Sequence, residues 1–482
     1  MLCIRRIGVG EMTVKIISSI GPASGDIEIL RKMVQAGVNG FRINFVHGSP
    51  DEWSKYVSYV RKIENECGKP IALIGDLQGP SLRIGILDKP IELKRGETVK
   101  IVLADKAEGG DKRIIPVPQP KFFEAVDVGD TLVLDDGRVR LNVVDIHGSN
   151  ELEAVALTRA IVKSRKAIVI AGKDLDVPAL SEKDIKDVKF AIEQDFDYIS
   201  LSYVRHVEDI EILRSLLKRY GAEDIGIIAK IETRSAIANL RDIVAASDAV
   251  LIARGDLGMN FSLEEVHYYQ KIIIDTCIEL GKPVIVATQL LESMIENPVP
   301  TRAEVVDISN AVEHGVDALM LTGETSIGKY PLEAVKWLRR IVSYAERRLL
   351  VKQYDYIAKR ARRALNDIQT AFAKGVLELA EDIGAKLIVF SMRGATALRL
   401  ARLRPRIPVY VATPNRKVMR KLSIVWGLET FYVDATSYDE GLSKALEKAK
   451  ELGVVSYGDV TVLTYGLREP RQYIEVLKLE PQ

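Results

Sequence analysis

The amino-acid sequence predicts an α/β fold: a (β/α)8 TIM barrel with an inserted small β-barrel domain, followed by a C-terminal α/β domain. Three observations predict it. Apolar strand-like runs alternate with helical stretches eight times, a block of short alternating runs interrupts them after the third strand, and polar residues follow the strands. A closed barrel gathers eight strand ends at one rim, whereas the alternative, an open doubly wound sheet, gives them no common focus.

The first strand-and-helix units lie within the first 80 residues. Apolar runs predict strands at 13–20, 40–45 and 71–77. The helical periodicity between these strands ends at Gly37 and again at Gly68, as expected for glycine at a helix C-terminus. This alternation predicts the first three units of the barrel.

The pattern changes between residues 81 and 172, where short apolar runs are divided by Gly, Asp and Pro. Asp135-Asp136-Gly137 separates two of these runs and is typical of a β-hairpin turn. We therefore interpret 81–172 as the inserted β-barrel domain and 13–80 with 173–345 as the two parts of the barrel. Helical periodicity resumes at Ser181, a candidate N-cap residue with acidic residues in the following turn.

Five further strands, each separated by a helical stretch, complete the eight. They are predicted at 198–204, 225–232, 249–256, 283–289 and 318–324. Active sites of such barrels lie at the C-terminal strand ends. The polar residues expected to converge there are Arg42, Asn44, Asp76, Ser202, Lys230, Glu232, Asp256, Thr288, Thr322 and Glu324.

A helical stretch at 330–363 connects the barrel to a third unit at 366–482. Strands of this unit are predicted at 387–390, 409–412, 430–433 and 460–464. After the first of them, Ser391, Arg393, Gly394 and Thr396 lie in a turn that opens a helix. Such a turn can hold a phosphate at the helix N-terminus, or it can be an ordinary connection between strand and helix. The residues alone leave both interpretations open.

Composition excludes several classes of function. The 482-residue chain has 68 Lys and Arg against 67 Asp and Glu, so no overall charge attracts nucleic acid or an acidic membrane. No apolar run is long enough to span a membrane, and the start of the sequence has no signal-peptide pattern. Cys3, Cys67 and Cys277 are far apart without metal-ligand spacing. We expect a cytoplasmic protein.

The most informative stretch joins Lys230-Ile231-Glu232 with Arg254-Gly255-Asp256. Residues two apart in a strand share a face, so Lys230 and Glu232 point the same way. If the next strand is a neighbour, Asp256 adds a second carboxylate, and two oxygen ligands suit Mg²⁺ or Mn²⁺ better than zinc. A purely structural ion pair is the alternative.

Several motifs resemble those of the pyruvate kinase family over almost the whole chain. They are Ile20-Gly21-Pro22-Ala23-Ser24, Arg42-Ile43-Asn44-Phe45 with His47-Gly48, Lys230-Ile231-Glu232, Ala253 to Gly258, Ala287-Thr288-Gln289 with Glu292-Ser293-Met294, Pro300 to Glu304, and Gly323-Glu324-Thr325. The resemblance implies a catalytic barrel, an inserted lid, a C-terminal effector-binding domain and a cytoplasmic homotetramer.

By this resemblance, the chain transfers a phosphoryl group from phosphoenolpyruvate to ADP, which gives pyruvate and ATP. Lys230, Thr288 and Arg42 are implied as catalytic residues, and Glu232 and Asp256 as ligands of Mg²⁺ or Mn²⁺. The implied contacts to phosphoenolpyruvate come from Arg42, Ser202, Lys230, Gly255, Asp256 and Thr288. Those to the nucleotide come from Asn44, His47, Arg83 and Lys166.

The sequence departs from the K⁺-dependent members of this family at two positions. Val46 stands where they have serine, and Ser81 stands where they have glutamate. We therefore expect activity without K⁺, although Asn44 and Asp76 remain at the monovalent-cation site. For the C-terminal turn 391–396, the resemblance implies a phosphorylated effector, and a sugar phosphate and a nucleotide monophosphate both fit.

Three competing functions are weighed against these residues. Lys230 could form a Schiff base in an aldolase. A divalent-metal enolate lyase would keep Glu232 and Asp256, but it has no use for cations such as Arg83 and Lys166 on a lid. A non-catalytic metabolite sensor would use only the C-terminal domain and would need none of these residues.

Overall fold

The computed structural model describes residues 14–80, 82–107, 113–135, 137–348, 358, 368–466 and 472–480. These residues form a closed eight-stranded barrel, an insert of curled sheets and a C-terminal five-stranded sheet, which confirms the predicted fold class. In this part of the chain, no helix is long and apolar enough to cross a membrane.

The barrel begins with three buried strands and two helices that cover them. Asp26 caps the first helix by accepting hydrogen bonds from the N–H groups of Glu28 and Ile29. Gly68 ends the second helix in a left-handed conformation with φ 63°. The elements are β1 Lys15–Ser19, α1 Ile27–Gln35, β2 Val38–Asn44, α2 Pro50–Cys67 and β3 Ala72–Asp76.

The insert has its own apolar core and consists of a six-stranded and a two-stranded sheet. The hairpin predicted from Asp135 and Gly137 is present, since Leu134 pairs with Val139, while Asp136 lies outside the described residues. The elements are β4 Ile91–Leu93, β5 Thr98–Val102, β6 Ile114–Pro116, α3 Pro120–Ala125, β7 Thr131–Leu134, β8 Val139–His147, β9 Glu151–Ala156, β10 Ala160–Val162 and β11 Ile168–Ile170.

The second part of the barrel adds five strands, and the strand order β1-β16-β15-β14-β13-β12-β3-β2 closes it. The predicted N-cap at Ser181 forms a capping box with Asp184. The elements are α4 Glu182–Glu193, β12 Tyr198–Leu201, α5 Val207–Arg219, β13 Gly226–Ile231, α6 Arg234–Ala238, α7 Leu240–Ala246, β14 Ala249–Ala253, α8 Arg254–Asn260, α9 Leu263–Leu280, β15 Val284–Ala287, a 3-10 helix Glu292–Ile295, α10 Arg302–Glu313, β16 Ala318–Leu321, α11 Gly323–Ser326 and α12 Pro331–Arg348.

The C-terminal sheet has the order β19-β18-β17-β20-β21, and only β21 is antiparallel to its neighbour. The sequence did not predict β21, because its apolar residues lie side by side at 473–474 and 476–477 and do not alternate regularly with polar residues. Of the helix predicted at 330–363, the described part ends at Arg348, and Ala358 alone is described beyond it. The elements are α13 Ile368–Asp382, β17 Lys386–Phe390, α14 Ala395–Arg402, β18 Val409–Thr413, α15 Arg416–Leu422, β19 Leu428–Tyr432, α16 Tyr438–Glu451, β20 Val460–Gly466 and β21 Gln472–Lys478.

The C-terminal domain packs against the N-terminal ends of the barrel strands. Ile424, fully buried, joins the apolar cluster that fills this end of the barrel. Buried ion pairs surround it. Arg404 donates two hydrogen bonds to the Asp317 carboxylate at 2.9 and 2.8 Å, and Arg420 Nε donates to Asp197 at 2.7 Å. This contact between the C-terminal domain and the barrel, the seam, therefore combines apolar packing with buried ion pairs. Breaking such a pair costs several kcal/mol of stability, about 3–5.

We expect Arg404→Met to destabilise the protein by roughly 3–5 kcal/mol, because it leaves the Asp317 carboxylate buried without its counter-charge. Urea unfolding followed by circular dichroism measures the change. Arg406→Ala, at an exposed position two residues away, is the control and should change stability by less than about 0.5 kcal/mol. Equal stability of the two variants would contradict the role given to the buried pair.

Candidate active site

Most of the predicted polar residues meet at the C-terminal rim of the barrel, whereas Glu324 accepts hydrogen bonds from the N–H groups of Thr322 and Leu291 instead. Arg42 and Asn44 end β2, Asp76 ends β3, and Lys230 lies near the end of β13. Parallel pairing in register places Asn44 beside Asp76 and sets Lys230 against Leu251 of the following strand. These strands therefore deliver their charged side chains to one place.

Lys230 lies at the centre of this rim. Its Nζ donates to Ser202 Oγ at 2.8 Å and lies 3.0 Å from Glu232 Oε1 and 3.7 Å from Asp76 Oδ1. Burial by itself lowers the pKa of Lys230, but the carboxylates of Asp76, Glu232 and Asp256 outweigh it, so the pKa is raised above its ordinary value. The amine is therefore an ammonium at neutral pH.

Glu232 and Asp256 are the two candidate metal ligands, and Tyr203 connects them. Glu232, fully buried, accepts a hydrogen bond from the Tyr203 N–H at 2.7 Å, and the Tyr203 hydroxyl donates to Asp256 at 3.1 Å. The pKa of Glu232 is raised to about 7, because burial and the Asp256 charge together raise it more than Lys230 lowers it.

The chemistry of these carboxylates fits a divalent cation. When its neighbours do not fully neutralise a buried carboxylate, a bound metal ion stabilises its negative charge. Carboxylate oxygens are the ligands that Mg²⁺ and Mn²⁺ prefer. Among the described residues, no cluster of three or more His, Cys, Asp or Glu side chains could hold a metal ion alone. A metal bound by two carboxylates keeps positions open for substrate oxygens and water.

Arg42 and Asp76 form a second charged pair beside Lys230. Arg42 Nε donates to Asp76 Oδ2 at 3.0 Å, Nη2 donates to the same oxygen, and Nη1 donates to Ser19 Oγ at 3.0 Å. Burial raises the pKa of Asp76, but Arg42 and Lys230 more than compensate, so the pKa is lowered. Asp76 is therefore an anion that two cations neutralise.

Thr288 follows β15 in a left-handed conformation with φ 66°. Its Oγ1 accepts a hydrogen bond from the Gly255 N–H at 2.9 Å, and its carbonyl accepts two from the Arg254 guanidinium at 3.1 and 2.7 Å. Arg254 also pairs with Asp307. This guanidinium thus holds a turn that is unfavourable for a β-branched residue.

The four predicted nucleotide residues lie on two parts of the molecule. Asn44 and His47 belong to the barrel, where Asn44 Oδ1 accepts from the Val46 N–H at 3.1 Å. Burial and the nearby charges of Arg83 and Arg42 lower the pKa of His47. Arg83 is therefore close to the barrel rim. Lys166 lies on the segment of the insert that pairs with Arg83 through Ala167, and its Nζ pairs with Asp135 at 2.6 Å.

The tip of the insert contacts the barrel directly. Arg138, in the hairpin turn, pairs with Glu292 after β15 at 2.9 Å. The insert thus extends over the rim that carries the charged residues, which is the position expected of a lid.

The C-terminal turn lies apart from this rim. Ser391 and Thr396 are buried, and the Ser391 N–H donates to the Ala412 carbonyl at 3.0 Å. Gly394 adopts φ 79° and precedes α14, while the Arg393 side chain is exposed. The turn therefore presents one cation at the start of a helix.

Sequence reasoning missed Tyr203, Asn260 and Ser19 as parts of this site, and it named Arg254 in the central stretch without assigning it a role. Asn260 Nδ2 donates to the carbonyl oxygens of Glu232 and Asp256 at 2.9 and 3.4 Å. An aromatic residue or an amide after a strand is usually interpreted as packing or as a turn. Only the left-handed φ of 55° at Tyr203, which no sequence pattern announces, brings it to both carboxylates.

The fold and the rim together define a (β/α)8-barrel enzyme with a buried cluster of opposite charges at the strand ends and an inserted β domain in contact with the same rim. Two protein-family models match the chain: "Pyruvate kinase, barrel domain" at residues 11–335 and "Pyruvate kinase, alpha/beta domain" at residues 370–478. The chain belongs to the pyruvate kinase family and is a phosphotransferase of glycolysis with pyruvate kinase activity.

Individual relatives agree with this assignment over nearly the full length. The pyruvate kinase of Pyrobaculum aerophilum is 41% identical over 458 residues, which is 94% of each chain. That of Aeropyrum pernix is 38% identical over 450 residues, covering 93% of this chain and 95% of the relative. The crystal structure of pyruvate kinase from Pyrobaculum aerophilum superposes with a TM-score of 0.84, at 39% identity, over 97% of this chain and 99% of that one.

Proposed function

We propose that the chain transfers the phosphoryl group of phosphoenolpyruvate to ADP at the barrel rim, with Lys230 as the central catalytic residue. The observation that supports this most directly is the buried ammonium, which Ser202, Asp76 and Glu232 hold in one position. A fixed positive charge in a buried site stabilises the negative charge that develops on the transferring phosphoryl group and on the enolate.

Glu232 and Asp256 are proposed to hold Mg²⁺ or Mn²⁺. Held by these two carboxylates, a divalent cation would supply positive charge that offsets the negative charge of the substrate. Burial of Glu232 and the contacts of Tyr203 with both carboxylates support this assignment, because they fix the ligands before a cation arrives.

The remaining substrate contacts are assigned to Arg42, Ser202, Gly255, Asp256 and Thr288. Arg42 would bind the phosphate with the same guanidinium that now pairs with Asp76. The Gly255 and Asp256 backbone and the Thr288 hydroxyl would receive the carboxylate. The Gly255 N–H and Thr288 Oγ1 are already adjacent at 2.9 Å. Thr288 would then help to protonate the enolate through water.

The nucleotide is assigned to the space between the barrel and the lid. Asn44 and His47 would contact it from the barrel, and Arg83 and Lys166 from the lid side. The contact of the lid tip with the barrel, Arg138 with Glu292, supports a lid that completes the site and excludes water.

The protonation state of Lys230 argues against the aldolase alternative. A Schiff base requires a neutral amine, and such lysines have lowered pKa values, whereas the surrounding carboxylates raise the pKa of Lys230. Borohydride with a carbonyl substrate should therefore leave Lys230 unmodified. The lyase and sensor alternatives give no reason for a lid with Arg83 and Lys166 above a metal site.

Lys230→Met should lower kcat for pyruvate formation from phosphoenolpyruvate and ADP by about 10²–10³-fold, because the charge that stabilises the transition state is lost. A coupled assay for pyruvate with Mg²⁺ measures it. Lys218→Met, at an exposed helix end, is the control. Full activity of Lys230→Met would contradict the proposed role of the ammonium.

We further propose that the enzyme works without K⁺. At Asp76, one of the two residues kept at the monovalent-cation site, Arg42 and Lys230 already balance the charge. At the other residue of that site, Asn44, the side-chain Oδ1 accepts a hydrogen bond from the Val46 N–H. The Val46 side chain has no oxygen atom that could bind a cation. Ser81, the second departure, lies outside the described residues.

Turnover in tetramethylammonium buffer should therefore equal turnover in K⁺ buffer of the same ionic strength, within about twofold. The assay compares kcat and KM for phosphoenolpyruvate in both salts. Val46→Ser is the informative variant, since it restores a hydroxyl oxygen beside Asn44. A requirement of the parent enzyme for K⁺ would refute the proposal.

Allosteric regulation by a phosphorylated metabolite is proposed for the C-terminal turn. The exposed Arg393 and the start of α14 at Gly394 support it, because a cation and free helix N–H groups both attract phosphate. Ser391 and Thr396 would complete the site with hydroxyl groups. A sugar phosphate and a nucleotide monophosphate remain equally suitable.

Arg393→Ala should abolish any shift of the phosphoenolpyruvate saturation curve that a sugar phosphate or a nucleotide monophosphate produces in the parent. Its activity without effector should stay unchanged, because the turn lies far from the barrel rim. Arg399→Ala, later on the same helix, serves as the control. If no phosphorylated metabolite shifts the parent curve, the effector proposal is wrong.

A cytoplasmic homotetramer is the proposed state of the enzyme. Exposed apolar side chains on the outer barrel helices, Leu263, Tyr268 and Tyr344, support self-association. The exposed edge strand β21 is a second surface on which another copy could pair. Sedimentation at the mass of a single chain would contradict this proposal.

A further inference from the structure

We propose that Tyr203 is a positioning residue for the divalent metal, acting through both carboxylates that bind it. This inference rests on the proposed role of Glu232 and Asp256 as metal ligands. Tyr203 is the residue that contacts both carboxylate groups: its backbone N–H donates to Glu232 Oε2 at 2.7 Å, and its side-chain hydroxyl donates to Asp256 Oδ1 at 3.1 Å.

The two contacts differ in what they require of the residue. The first uses the backbone and is available to any amino acid except proline. The second requires a phenol, because only a long, rigid side chain with a terminal hydroxyl reaches from the end of β12 to Asp256, which follows β14. Tyr203 thus spans the strand β13 that carries Glu232, and it fixes the separation of the two carboxylates.

The backbone conformation supports a specific role. Tyr203 has φ 55°, in the left-handed region that bulky side chains rarely adopt. Strained backbone of this kind persists where the surroundings hold it, and it is concentrated at functional sites. Tyr203 has this strained backbone and also donates the backbone hydrogen bond to Glu232. The strain therefore lies at a contact with a proposed metal ligand.

A second residue, Asn260, strengthens this arrangement. Its Nδ2 donates to the backbone carbonyls of Glu232 and Asp256, so the main chains of both ligands are also tied together. Tyr203 and Asn260 line a cavity of about 50 Å³ together with Pro80 and Leu175, which lie where the insert leaves and rejoins the barrel. The two residues therefore hold the metal ligands next to the lid connections.

Hydrogen bonds to ligating carboxylates orient them, and their loss typically weakens metal affinity about 10–100-fold. Tyr203→Phe removes the phenol hydroxyl but keeps the ring and the backbone N–H. We expect the Kd for Mn²⁺ to rise at least about tenfold in this variant. The Mg²⁺ concentration for half-maximal activity should rise in parallel, while kcat at saturating Mg²⁺ stays within about twofold of the parent.

The experiment titrates the full-length protein with Mn²⁺ alone and measures free Mn²⁺ by electron paramagnetic resonance, without substrate. Tyr457→Phe, at an exposed turn of the C-terminal domain, is the matched control and should bind as the parent does. Thermal unfolding of each variant establishes that it is folded. An unchanged Mn²⁺ Kd in folded Tyr203→Phe, or a loss of kcat without a change in Kd, would overturn the positioning role.

Glu232→Gln separates this inference from the proposed metal site itself. If Glu232→Gln abolishes Mn²⁺ binding and Tyr203→Phe does not weaken it, only the role of Tyr203 is wrong. If Glu232→Gln binds Mn²⁺ as tightly as the parent, the metal site is wrong, and the role of Tyr203 fails with it.

Discussion

The architecture of the catalytic end depends on one constraint, which is the balance of charge around Lys230. Asp76, Glu232 and Asp256 act on a single buried ammonium, with Arg42 bound to the first of them. Removing such groups from water is costly unless each charge has partners. The barrel meets this condition by ending adjacent parallel strands with opposite charges. The pKa of Glu232 stays raised, because its neighbours do not fully stabilise the negative charge of its carboxylate. A divalent cation would supply the additional positive charge.

The opposite end of the barrel uses charge for a different purpose. Asp197 and Asp317, placed just before β12 and β16, are saturated by Arg420 and Arg404 of the C-terminal domain, and Ile424 fills the space between them. Complete pairing leaves no capacity for a ligand, so these groups contribute stability and fix the domain. Similar residue types thus lie at both ends of the barrel. Those at the N-terminal strand ends hold the C-terminal domain, and those at the C-terminal strand ends form the rim where the active sites of such barrels lie.

Hydrogen bonds hold the turns that follow the barrel strands, and these turns position the residues beyond the strands. Tyr203, Thr288 and Gln289 all adopt positive φ immediately after barrel strands. Each is held by side chains from another strand end: Glu232 accepts from Tyr203, and Arg254 donates to the carbonyls of Thr288 and Gln289. Because the hydrogen bonds cross between neighbouring units, the site is a property of the closed barrel and not of any single βα unit.

The sequence alone determined the fold class, because strand periodicity is a local signal, and the polar residues at strand ends predicted the main members of the rim. Lys230, Glu232 and Asp76 were predicted in this way. Only the tertiary structure showed Tyr203 and Asn260 at the site, the contacts that Arg254 makes there, and Arg404 and Arg420 at the seam, because their partners are distant in sequence. It also revealed the edge strand β21. A side chain that acts through contacts with other strands produces no periodic pattern in the sequence. A left-handed turn at a bulky residue depends on the packing around it, which the sequence alone does not show.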